Sequence, residues 1–128
     1  MKWRSDIREI LFRGKRIAKD EFVEGFVFKQ FAQPKGEEWY IRAHETDYCV
    51  IPETIGQYIG VVDKNKKMVF EGDIVKFKGE LYVVKYIEKY NRFAGVKPRT
   101  LFAVFNFSMA EIVGNVYDNP ELLAGGNE

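Results

Sequence analysis

A mainly β protein with little helix is the fold class this sequence predicts, and three observations predict it. Short apolar runs alternate with period two and are bounded by Gly, Pro, Asn and Asp. Aromatic residues make up 16% of the 128 residues, and Phe, Tyr and Trp favour strands, where their rings fill the space between sheets. No apolar period of 3.6 residues persists beyond two turns. The expectation is a small antiparallel barrel or sheet assembly of about nine strands.

Each element follows from local chemistry. Arg8 to Phe12 alternates and enters a turn at Gly14. Phe22 to Phe31 carries Phe22, Glu24, Phe26, Phe28 and Gln30 on one parity, with Gly25 marking a bend or bulge. The turn Gln33 to Gly36 leads into a short strand, Trp39 to Arg42. A polar loop from Arg42 to Asp47 precedes the strand Tyr48 to Ile51, which Pro52 stops. Gln57 to Val75 reads as three strand pieces. Asp63-Lys64-Asn65-Lys66 and Glu71-Gly72-Asp73 separate them, since Asp and Asn bond backbone within turns and Gly72 takes positive φ freely. Asp73 to Lys78 alternates cleanly, Lys78-Gly79-Glu80 is a hairpin turn, and Leu81 to Tyr90 is the longest strand candidate. Asn91 to Arg99 reads as a basic loop. Leu101 to Phe107 is apolar on both parities and so reads as a central strand, and Glu111 to Tyr117 is the last. The meander from Asp63 to Tyr117 predicts an SH3-like barrel, which hides its edges by closure. A chain this long buries roughly two-thirds of the surface its unfolded form exposes. One unit over 1–128 is therefore expected, divisible into subdomains at 1–62 and 63–123, with a disordered tail at 124–128.

Four segments, in order, resemble the YopX family of phage-borne and prophage proteins. Gln57 to Val75, QYIGVVDKNKKMVFEGDIV, is similar to its "GQY-T/I-G, D-K-N-x-K, E-G-D-I-V" segment. Arg8 to Arg16, REILFRGKR, resembles its opening "REIKFRGKR", and Tyr48 to Thr54 resembles the piece that precedes "GQY". Ile112 to Leu123, IVGNVYDNPELL, resembles its closing "VIGNIYENPELL". Lys85 to Phe107 fits least well. The resemblance implies a mostly β protein of a mobile genetic element and assigns no catalytic residue.

Composition bounds the partners. One cysteine, Cys49, forms no intramolecular disulfide, no apolar signal segment opens the chain, and no stretch approaches the roughly 20 apolar residues of a membrane span. A bacterial host's cytoplasm is the expected compartment. The net charge of +1 hides a segregated field: 63–99 holds ten basic and five acidic residues, and 100–128 holds four acidic and no basic ones. Such a field steers an anionic partner or a second copy.

Catalytic signals are weak. His44 beside Asp47 has the composition of an oriented base, and Cys49 near it that of a nucleophile. An exposed loop histidine and an inert core cysteine are the better readings of both. Glu71 and Asp73 flank a turn that itself accounts for them. One His and one Cys make no zinc site, and no phosphate loop or metalloprotease motif is present. The enzyme alternative is a small metal-dependent or hydrolytic one; the expectation is no enzyme and no cofactor. Lys76, Lys78, Lys85, Lys89, Arg92, Lys97 and Arg99 interleave with Tyr82, Tyr86, Tyr90 and Phe93, the pairing by which small barrels hold single strands. A solvated face over an aromatic core gives the same pattern. The predicted function is a self-associating protein-interaction module. The alternative is a nucleic-acid-binding small barrel using 76–99.

Overall fold

Most alternating runs become strand, but Arg8 to Leu11 does not: the first strand begins at Phe12 and holds Gly14 within it, where a turn was expected. The structure, a computed structural model, describes residues 8–32, 36–97 and 102–125. They form two compact units, Met1–Gly60 and Val61–Glu128.

In the first unit, β1 (Phe12–Lys15), β2 (Phe22–Ala32), β3 (Gly36–Ala43), β4 (Thr46–Cys49) and β5 (Gly56–Val62) make an antiparallel sheet in the order β4-β3-β2-β1-β5. β2 divides its pairing. Phe22 to Gly25 face β1, and Phe26 to Ala32 face β3. Gly25 sits at the changeover, where the Arg42 carbonyl crosses so closely that a Cβ would lie 2.0 Å from its oxygen. Beyond β4, Val50 bridges Arg16, with the Ile17 N–H donating to the Cys49 carbonyl (3.0 Å) and the Ile51 N–H to that of Lys15 (2.9 Å). The sheet thus curls around Ile41 and Val50, 0% and 1% exposed. A 3₁₀ turn at Pro52–Thr54 buries Thr54. The Thr54 hydroxyl accepts from the Lys15 N–H (2.8 Å) and donates to the Ile51 carbonyl (2.6 Å).

The expected loop from Arg42 to Asp47 is instead a tight hairpin. Ala43 pairs with Thr46, and His44 and Glu45 between them take φ of 51° and 67°. Two positive φ values make the hairpin follow strand twist, and Asn-Gly suits them far better than His-Glu. The double substitution H44N/E45G is expected to raise the unfolding free energy by about 1–2 kcal/mol. A thermal midpoint that stays put or falls would contradict the turn geometry.

In the second unit, β6 (Met68–Phe70) follows the Asp63 turn. β7 (Asp73–Phe77), β8 (Glu80–Ile87), β9 (Arg92–Val96) and β10 (Glu111–Asn115) form a sheet in the order β10-β7-β8-β9. Val69, Ile74, Val75, Val84 and Ala94 are each 0% exposed. Gly72 turns the chain at φ 91°, and the Asp73 carboxylate, 2% exposed, accepts the Phe70 N–H at 2.8 Å. A bulge between Ile112 and Gly114 breaks the β10–β7 ladder. The Asn115 side-chain oxygen then accepts from the Tyr117 and Asp118 N–H groups, leading the chain into α1 (Glu121–Gly125).

Several expectations change here. β9 and β10 are the sheet's edges, so the meander is an open sheet rather than a closed SH3-like barrel among the described residues. Arg92 to Val96 is a strand, not a loop, because it pairs along β8 from Ile87 to Val83. The expected central strand at 101–107 reduces to one bridge, Ala103 to Gly95, before a 3₁₀ turn at Phe107–Met109; Leu101 lies outside the described residues. On one parity Phe105 stacks on Phe77 at 4.4 Å and tilts against Tyr82 at 5.0 Å and Phe107 at 4.8 Å; on the other Phe102 tilts against Tyr90 at 5.3 Å. Ring packing and that single bridge, rather than a full ladder, hold it. Helix α1 covers Ala124 and Gly125, where disorder was expected; residues beyond 125 lie outside the described ones.

Candidate binding surfaces

Strand register sorts the basic, aromatic segment onto two faces. Residues opposite one another in an antiparallel pair share a face, and neighbours along a strand alternate. Lys76 pairs with Leu81, Lys85 with Ala94 and Arg92 with Ile87. These three cations share one face. Tyr82 opposes Val75, and Tyr86 opposes Phe93, on the other face. Tyr82 is half-buried against Phe105, and Lys97 is drawn to Glu80, whose hydrogen bond holds its ammonium above the usual lysine range. Lys78 lies at the opposite end of β8 from Lys89, in the β7–β8 turn. Arg99 falls outside the described residues. The described cations and rings of this segment therefore do not share one face. What remains is the β8–β9 hairpin tip: Lys85, Lys89 and Arg92, exposed and without an ion pair among the described residues, with Tyr90 (52% exposed) in the turn and Tyr86 (44%) on the opposite face.

The catalytic candidates are dispersed. Asp47 does not orient His44. Its two oxygens take the Arg42 guanidinium at 2.6 and 2.9 Å, and these hydrogen bonds hold the carboxyl below the ordinary carboxylate range. His44 stands exposed in the hairpin turn, and Cys49 opposes Tyr40 within the sheet. Asp73 is committed to the Phe70 N–H. Among the described residues, no three His, Cys, Asp or Glu side chains gather closely enough for a metal ion, and no helix is long and apolar enough to cross a membrane.

One aromatic surface lies outside the core. The even parity of β2, Phe22-Glu24-Phe26-Phe28-Gln30, faces outward, because its odd parity shares the face of Ile41, which is fully buried. Phe26 is 69% exposed. Phe28 stacks on Tyr40 with centroids 5.4 Å apart and planes 14° apart, and the Arg42 guanidinium lies 5.6 Å above the Phe28 ring. The Tyr40 hydroxyl donates to Glu38 at 3.1 Å, which raises its pKa above the usual phenol value. An open recess of about 370 Å³ is lined by Phe26, Val27, Phe28 and Arg42. Register places Phe26, Arg42 and Asp47 in one row across β2, β3 and β4. The signal was legible as the even-parity phenylalanines of FVEGFVFKQF, but parity alone does not say which side faces water.

Comparison with known proteins covers nearly the whole chain. The family model described as "YopX protein" matches residues 11–124. The crystal structure of protein EF1440 from Enterococcus faecalis is similar in fold, with a TM-score of 0.55 and 23% sequence identity over 91% of this chain and 99% of that one. Among curated proteins none matches.

Proposed function

The chain belongs to the YopX family, and from that premise we propose that it is a phage-type, cytoplasmic, non-enzymatic interaction module that associates with copies of itself. One observation carries the reading. An apolar ring two-thirds exposed, Phe26, stands on a folded sheet beside a stacked aromatic pair and a fixed ion pair. Single exposed apolar residues are ordinary, but an aromatic group with Arg beside it is the composition of a contact surface. Light scattering on gel-filtered protein at micromolar concentration is expected to give a mass at least twice that of the chain. A clean monomer there ends the reading.

The β8–β9 tip favours a second reading, nucleic-acid binding. Its three cations are not neutralised by ion pairs among the described residues, whereas the cations Lys15, Arg16, Lys29 and Arg42 of the first unit each face a carboxylate. Three phosphate contacts to a single strand give a salt slope of about −2, so affinity for a labelled oligonucleotide should fall about 20-fold between 50 and 200 mM salt. Anisotropy showing no binding at about 50 mM salt removes this alternative.

A further inference from the structure

We infer that the second copy docks on the outer face of β2, β3 and β4, through a two-fold contact centred on Phe26 and the Arg42–Asp47 pair. The inference rests on the self-association reading and adds the surface.

Electrical balance selects the occupant. Arg42 is neutralised by Asp47 on the same face, and Lys15 by Asp20 at 2.7 Å. Glu24 and Glu38 add negative charge, against Arg13. A polyanion finds no excess of positive charge here. A copy of the same surface does find a complement. In a two-fold contact the same patch meets itself, so residue i of one protomer touches j of the other and the reverse. A cation and an anion side by side in one row are complementary to their own image: Arg42 approaches the partner's Asp47, and Asp47 the partner's Arg42. Both groups are accessible, with side chains 59% and 37% exposed.

Shape agrees. Phe26 is a projecting ring, and the recess of about 370 Å³ beside it is lined by Phe26 itself, Val27, Phe28 and Arg42. Knob and hole are adjacent on one protomer, the arrangement a two-fold axis requires for mutual insertion. The Phe28–Tyr40 stack and the two-pronged Arg42–Asp47 pair fix the surroundings before contact, so little side-chain freedom is lost on docking. Aromatic and Arg side chains at the centre of a patch are the residues that dominate interface energetics.

Charge reversal tests the geometry. R42E and D47R are each expected to run as monomers in light scattering, because each sets like charges against each other across the axis. Mixed in equal amounts they are expected to recover a dimer, since both cross-axis pairs then become opposite in sign. F26E is expected to run as a monomer with an unchanged circular dichroism spectrum. Hydrogen exchange on the wild-type chain at high and low concentration needs no variant: protection added to β3 and β4 at high concentration is expected. A wild-type monomer overturns self-association itself. A wild-type oligomer that F26E and both charge reversals leave intact, without concentration-dependent protection in β3 and β4, overturns this surface while self-association stands.

Discussion

Replacing Gly25 with alanine is expected to cost on the order of 3–5 kcal/mol of unfolding free energy. The added Cβ would stand 2.0 Å from the Arg42 carbonyl oxygen and 2.8 Å from its carbon. Both atoms are backbone, so no side chain can swing aside. Relief requires β2 and β3 to separate, and Gly25 is where β2 passes from β1 to β3. Separation breaks ladder hydrogen bonds and opens the packing over Ile41, whose Cγ2 would be 3.2 Å from the new atom. Overpacking alone costs about 1–3 kcal/mol, and each buried donor left unpaired adds about 1–3 more. A domain holds only about 5–15 kcal/mol in all. Urea unfolding followed by the fluorescence of Trp39, on β3, in a W3F background reads the loss locally. A variant within about half a kcal/mol of wild type would show that the strands do not approach as closely as described.

Gly25 also marks how much was legible. A glycine inside an alternating run announced an irregularity, and the structure supplies its cause, a backbone crossing that no sequence pattern encodes. The turns at Asp63–Lys66, Glu71–Asp73 and Lys78–Glu80 were readable because their residue types carry the mechanism locally: a side-chain acceptor or freedom at positive φ. The hairpin at His44-Glu45 was not, since neither residue suits the turn it occupies. Segment 102–107 deceived for the converse reason. Its apolar residues on both parities are those of a buried strand, but rings packed on a sheet need no ladder.

The proposed contact surface was less legible than the fold because it depends on which parity faces water. Phe22, Phe26 and Phe28 have the composition of a core face, and the long-range register of β2 with β3 turns them outward. The segments that resemble the family are, in turn, the hardware of turns. Asp63 in DKNKK, Gly72 and Asp73 in EGDIV, and Asn115 in GNVYDNP each hold backbone. That is why family membership could be read from these motifs while chemistry could not. They specify how the chain bends, and the surface proposed for contact lies on strands between them.

Asp63 is the largest single polar contribution expected in the second unit. It is 1% exposed, yet its carboxylate accepts three backbone N–H groups: Asn65 and Lys67 on Oδ1 and Ile112 on Oδ2, each at 2.9 Å. The Ile112 bond joins the turn before β6 to β10, 49 positions apart. Hydrogen bonds to charged groups contribute about 1.5–3 kcal/mol each, less the cost of burying the charge. Asparagine keeps the shape but offers one acceptor oxygen and places an NH2 against a donor. D63N should therefore cost about 3 kcal/mol, and D63A as much or more. Burial pushes the Asp63 carboxyl up, but the bonds from Ile112, Lys67 and Asn65, with the Lys67 charge, outweigh it and hold the pKa below its ordinary 3.8. A carboxyl depressed in the folded state contributes stability that is complete above its unfolded value and is lost as pH falls through its folded value. The gap in unfolding free energy between wild type and D63N should hold constant near neutral pH and narrow as pH drops below 3.8. A gap of equal size at neutral and strongly acid pH would mean that shape, not charge, makes Asp63 matter. No gap at all would remove it as the link between the Asp63 turn and β10.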